Sequence, residues 1–64
     1  MLESGKLYDT NDLHEALGVP VRTLRNWRHL GRGPAYHKIG SICYYRGADV
    51  NAWLAKNRVE PTAA

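Results

Sequence analysis

Apolar residues recur three and four positions apart along much of this chain, and over one short stretch they give way to alternation. Leu13, Ala16 and Leu17 form the first helical stripe, and Asp9 with Asp12 three residues later approximates a capping box in front of it. The pattern predicts a helix that opens at Asp9 and ends at Gly18, which supplies a left-handed terminal residue. Only Val19 and Pro20 intervene before the next stripe, and proline is tolerated at a helix start. The second helix should run from about Val21 to Leu30 and stop at Gly31. At 100° per residue, Val21, Leu24 and Trp27 fall on one of its faces. Arg22, Arg25, Asn26 and His29 fall on the opposite face, with Thr23 and Arg28 on the shoulders. Two short helices joined by a Gly-containing turn of about three residues make a helix-turn-helix.

After the loop "GRGP", residues 31–34, the segments "AYHKI" and "CYYR" read as two strands around Gly40-Ser41. Parity allows two registers. A two-residue Gly40-Ser41 turn places Lys38 with Cys43 and Tyr45 on one face. A three-residue Gly40-Ser41-Ile42 turn puts His37, Ile39, Cys43 and Tyr45 together and leaves Ile42 exposed at the tip. The second is preferred because it sends both Lys38 and Arg46 to solvent. "GADVNAWLAKNR", residues 47–58, closes the domain as a third helix that buries Val50, Trp53 and Leu54. Residues 1–5 are expected to be disordered, "KLY" (Lys6 to Tyr8) to form a short strand with a free edge, and residues 59–64 to form a flexible tail. The expected fold class is mainly α with a small β-hairpin wing. In this winged helix-turn-helix, residues 6–58 supply three short helices, a two-stranded wing and a possible N-terminal strand.

A chain of 64 residues is near the lower limit for folding on a single core without staples. Its one cysteine, Cys43, excludes an intrachain disulfide and suits a reducing compartment. "MLESGKLYD" lacks a signal-peptide layout, and no apolar run approaches the ~20 residues needed to cross a bilayer. A soluble protein of the cytoplasm, with no membrane partner, is expected. The net charge of +3 is modest, but its distribution is not. From Ala16 to Ala48 there are six basic residues (Arg22, Arg25, Arg28, Arg32, Lys38 and Arg46) and no acidic one. All six acids lie in the flanks. Acids normally intersperse on a solvated surface, so this block points to an anionic partner.

Arg22, Arg25 and Asn26 are the candidate base contacts: arginine pairs with guanine O6/N7 and asparagine with adenine N6/N7 in bidentate fashion. All three lie on the outward face of the second helix, towards its N-terminal half, where recognition helices meet bases. A solvated face is the bland alternative. Thr23 is as well placed for helix packing as for a phosphate or a thymine methyl. Arg28, beside the apolar stripe, suits a phosphate or an intramolecular acid. Arg32, Lys38 and Arg46 complete the candidate backbone contacts, and Gly40, Ser41 and Ile42 the wing tip. An exposed Ile42 could wedge into a minor groove or touch another copy of the protein; in the two-residue turn it would pair with Ile39. Trp27 and Trp53 lie on apolar stripes and are read as core, not as base-stacking platforms. His29 is read as solvent-exposed and Cys43 as a small buried hydrophobe. His14, His29 and His37 have no metal-ligand spacing with Cys43, and no nucleophile–base pair or phosphate-binding glycine loop is present. No metal, cofactor, small-molecule substrate or enzymatic activity is expected.

Taken together, "LGVPVRTLRNW", "GRGPAYHKIG" and "DVNAWL" at their spacing resemble the winged helix-turn-helix domains of bacteriophage excisionases and their relatives in the MerR superfamily. The resemblance covers roughly residues 7–55. It implies a double-stranded DNA-binding fold whose second helix enters the major groove while the wing reaches a neighbouring groove or the backbone. It further implies a recombination directionality factor in the bacterial host cytoplasm, which bends attachment-site DNA and steers a phage integrase towards excision. Family members often carry arginines where this chain has Ser41, Ile42 and Tyr44, an aliphatic residue at His37 and a basic one at Gly47.

One module of this kind buries on the order of 600–1,000 Å² on DNA, enough to discriminate a few base pairs. Useful specificity would then require adjacent copies on the DNA or a partner. A small phage or prophage transcription regulator is the alternative, since fold alone does not separate the two. The lack of an effector domain or long dimerisation helix after residue 58 inclines towards the first. A third reading is a basic module that docks an acidic protein.

Overall fold

The computed structural model describes residues 2–61. Asp9 opens the first helix through its side chain. Its Oδ1 accepts the Asp12 N–H at 2.7 Å, and Asp12 Oδ2 accepts the Asp9 N–H at 3.3 Å, a complete capping box. Strand β1 (Leu7–Asp9) therefore leads straight into α1 (Thr10–Leu17), which ends on Gly18 at φ 72°. Helix α2 (Val21–Leu30) follows and ends on Gly31 at φ 70°. These are the boundaries the sequence predicts. The remaining elements are β2 (His37–Ile39), β3 (Ile42–Arg46) and α3 (Gly47–Lys56). The third helix is thus shorter than expected, with Asn57 at its C-cap.

The three strands make one antiparallel sheet in the order β1-β3-β2. The short N-terminal strand, one residue later than "KLY", spends one edge on β3 through the pairs Leu7–Arg46, Tyr8–Tyr45 and Asp9–Tyr44. Three helices and this small sheet form a winged helix-turn-helix. The core takes one residue from each of four elements: Leu13 of α1, Leu24 of α2, Tyr45 of β3 and Val50 of α3, all essentially inaccessible to solvent. Leu2, Leu17, Val19, Trp27 and Leu54 pack around them, half-buried.

The wing corrects the preferred register. Ile39 pairs with Ile42, Lys38 with Cys43 and His37 with Tyr44, so the turn is the two-residue Gly40-Ser41. Gly40 has φ 63° and Ser41 no positive φ, the pattern of a type II′ hairpin turn. Ile42 is accordingly the first residue of β3 and not part of the tip. A charge is driven off the core-side face of a strand only where that face is covered, and every residue of β2 is exposed. Lys38 shares a face with Cys43 and Tyr45 and still reaches solvent.

Smaller differences have equally local causes. Ala16 is exposed, since Leu13 and Leu17 alone fill the inner side of this two-turn helix. Val21 is half-buried at the edge of a cleft rather than in the core. Residues 2–5, expected to be disordered, lie against α3. Leu2 N–H donates to Asn51 Oδ1 at 3.1 Å, and Asn51 Nδ2 donates to the Leu2 carbonyl at 2.8 Å. The Ser4 and Lys6 carbonyls accept the Ala48 and Gly47 N–H groups at 3.1 and 2.9 Å. Helix α3 has no side-chain cap, so these backbone acceptors satisfy donors that would otherwise be orphaned. Of the expected tail, residues 59–61 are exposed and without regular structure, and residues 62–64 lie outside the described residues.

Candidate nucleic-acid interface

Helix α2 has two surfaces because its anchors are set three apart. Leu24 is fully buried and Trp27 packs against the core, with its ring centroid 5.4 Å from that of Trp53 on α3. Held on that side, the helix turns Arg22, Arg25, Asn26 and His29 to solvent, and all four are exposed. No acid stands in its first turn, and Pro20 at the N-cap offers no side-chain hydrogen bond. The positive end of the helix dipole is therefore unneutralised beside Arg22 and Arg25.

The tip of the wing and the start of α1 border the same surface. Arg25 and Arg28 line one open cleft together with Thr10 and Asn11 of α1 and Ser41 and Cys43 of the hairpin. The fold thus brings one predicted base contact, Arg25, one predicted backbone contact, Arg28, and two of the three predicted wing-tip residues, Ser41 and Ile42, together. Thr23 is half-buried on α2, and Arg32 is exposed in the loop that follows, its N–H donating to the Trp27 carbonyl at 2.7 Å. Lys38 lies on the same sheet face as Cys43, whereas Arg46 lies on the opposite face, paired with Leu7. Arg46 and Lys38 border a second hollow with Tyr36 and His37, away from the α2 cleft. Gly40 carries only backbone at the tip.

The electrostatics match this placement. Among the described residues Arg58 pairs with Glu60 at 2.7 Å, and His37 Nε2 lies 3.8 Å from Asp49 Oδ2. Among the described residues no carboxylate stands within ion-pairing distance of Arg22, Arg25, Arg28, Arg32, Lys38 or Arg46. Of the two partners expected for Arg28, a phosphate or an intramolecular acid, no acid pairs with it among the described residues. Its Nη1 donates instead to Tyr45 Oη at 2.8 Å and Thr10 Oγ1 at 3.1 Å. Sequence reasoning missed Thr10, Asn11 and Tyr45 as neighbours of this arginine. Separations of 17 and 18 residues for the bonded pairs leave no local signal. Among the described residues no three His, Cys, Asp or Glu side chains gather as a metal set, and no helix is long and apolar enough to cross a membrane.

The model of the helix-turn-helix domain family matches residues 7–58, nearly the whole described chain. The chain belongs to the helix-turn-helix domain family. Helix-turn-helix domains are DNA-binding modules whose second helix lies in the major groove. In this domain that helix is α2. No curated protein and no solved structure matches the chain. What this helix-turn-helix domain does beyond binding DNA must therefore be argued from its own residues.

Proposed function

We propose that the protein is a sequence-specific architectural factor of the excisionase type, acting on double-stranded DNA. Adjacent copies bind cooperatively at attachment sites, bend the duplex and direct a phage integrase towards excision; the protein catalyses nothing itself. The observation that carries the DNA-binding part is the exposed row Arg22, Arg25 and Asn26, backed by Leu24 and Trp27 and without an ion-paired carboxylate among the described residues. Arginine and asparagine on the outer face of a fixed helix are the donors that read guanine and adenine edges. The excisionase part is supported by the resemblance of "LGVPVRTLRNW", "GRGPAYHKIG" and "DVNAWL" to that family.

In this reading Arg22, Arg25 and Asn26 touch bases, while Arg28, Arg32, Lys38 and Arg46 hold phosphates. Thr23 sits between the two groups. About 4–6 phosphate contacts give a steep salt dependence and modest affinity for one copy, which is why neighbours on the DNA are required.

Gel-shift titration on phage attachment DNA against a random duplex tests the proposal. A ladder of specific shifts, with integrase-dependent excision in a reconstituted reaction, is the expected result. Specific binding confined to a promoter would turn the assignment to a transcription regulator. Equal, weak binding to both duplexes, with tight binding to an acidic protein, would overturn the DNA-directed reading.

A further inference from the structure

Arg28 differs from the rest of the central cationic block in being half-buried and bonded within the fold. Its two hydrogen bonds run to Tyr45 Oη and Thr10 Oγ1, and its Cζ lies 5.8 and 5.9 Å from the ring centroids of Tyr36 and Tyr45. The partners come from β3, from the first residue of α1 and from the segment before β2. Three parts of the chain thus converge on one guanidinium, and all of them are neutral. A partly desolvated cation held by hydroxyls and ring faces keeps its whole charge without a counter-ion. Both internal hydrogen bonds use Nη1, which leaves Nε and Nη2 for a further acceptor.

The cleft that Arg28 lines is open and is shared with Arg25, Asn11 and Ser41. Asp9 also borders it, but its Oδ1 accepts the Asp12 N–H as part of the cap. An incoming anion would meet the Arg28 and Arg25 guanidinium groups, the Asn11 amide and the Ser41 hydroxyl, together with the Asp9 carboxylate and the apolar side chains of Val21 and Ile42. We infer that this cleft is a seat for one phosphodiester group, with Arg28 as its fixed donor and Asn11 and Ser41 as neutral donors beside it, while Arg25 keeps its base. The seat rests on the DNA-binding reading above and adds a coupling to it. A duplex that presents a base to Arg25 carries its backbone past the same cleft, so one phosphate is gripped by α2 and the wing together. That grip fixes the angle between wing and helix on the DNA, a role that scattered surface cations do not fill. Tyr45 and Thr10 act as positioning residues, since they touch the arginine and not the ligand.

Methylphosphonate substitution, one phosphate at a time along a bound duplex, removes single backbone charges and tests the seat directly. With the wild-type protein, one position per bound copy should weaken binding roughly tenfold. With Arg28→Met, that position should become indifferent, and the slope of log Kobs against log salt should shrink by about 0.9. Arg28→Lys, which keeps the charge but not the fork, should retain the slope and lose part of the affinity. Circular dichroism establishes that each variant is folded. If Arg28→Met is not folded, Tyr45→Phe combined with Thr10→Val keeps the cation and frees its side chain, and should blur the single position into several weak ones. Identical methylphosphonate profiles for the wild type and a folded variant would overturn the seat while leaving DNA binding intact. Loss of all duplex binding by the wild type would overturn the underlying reading and the seat with it. Saturable protection by inorganic phosphate that needs Arg28, with no sensitive backbone position, would assign the cleft to a free anion and overturn the phosphodiester.

Discussion

Trp27 of α2 and Trp53 of α3 meet with ring planes tilted by 51°, within the range that aromatic pairs favour. The exposed face of α2 is therefore oriented from behind by a joint with the last helix. Replacing Trp27 by alanine should cost about 3 kcal/mol, the lower end for a large aromatic because the ring is only half-buried. For a domain of this size that is a large share of the total stability. Urea unfolding measures the loss. Trp27→Phe should cost much less, and its folded fraction should bind DNA as the wild type does.

Gly33 packs directly onto that joint. It holds φ 81°, and a Cβ there would lie 3.0 Å from Trp27 Cε3 and 3.3 Å from Trp27 Cβ. Gly33→Ala should destabilise the domain by about 2 kcal/mol through backbone strain and crowding combined. Gly40→Ala carries the strain without the crowding, since nothing lies within 4 Å of its Cβ position. The gap between the two urea midpoints isolates the contact with Trp27.

Asn26→Ala and Arg22→Ala should relax sequence preference at one or two base pairs and leave non-specific binding nearly unchanged. Lys38→Ala should instead weaken binding to every duplex and reduce the salt slope by about one contact. Competition binding against a randomised duplex pool separates the two patterns. A uniform loss from Asn26→Ala would remove that residue from the reading face.

Asp9→Ala should cost about 1 kcal/mol by opening the capping box at the start of α1. Because Asp9 also borders the Arg28 cleft, the same variant removes a carboxylate from it and should strengthen the grip on the sensitive phosphate; a weakened grip at the Arg28 methylphosphonate position would mean that α1 itself moves on the DNA.

The parts of this fold that were legible in the sequence are those written in local chemistry. Asp9 with Asp12, Gly18 and Gly31 mark helix ends within one turn of the chain, and α1 and α2 begin and end where those residues put them. The opposed faces of α2 followed from its period alone. The hairpin register did not, because the rule that charge avoids the core side presupposes a covered strand, and β2 protrudes. The partners of Arg28 were illegible for a different reason. A hydroxyl 17 residues away in another element leaves no trace in spacing or composition, whereas the two expected partners, a phosphate or an intramolecular acid, follow from charge alone. The ordered N-terminal segment was missed because "LESGK" looks polar and turn-like, and its contacts are mostly backbone acceptors.

That segment makes a further prediction. Gly47 is buried, and a Cβ on it would collide with the Glu3 carbonyl. Gly47→Ala should therefore push residues 2–5 off α3 and expose the Gly47 and Ala48 amides, and Asn51→Ala should release Leu2 more mildly. Amide hydrogen exchange at positions 47 and 48 should accelerate in the first variant far more than in the second.

Leu2 and Asn51 hold each other by two reciprocal hydrogen bonds across 49 positions of the chain. Such a closure forms late, because contacts of that sequence separation carry the full loop-closure cost before they stabilise anything. The helix pair and the hairpin have most of their partners close by and can assemble beforehand, as chains rich in short-range contacts do. The N-terminal clasp then shuts over α3 as a final step, so the domain fastens from its middle outwards, with its beginning waiting for its end.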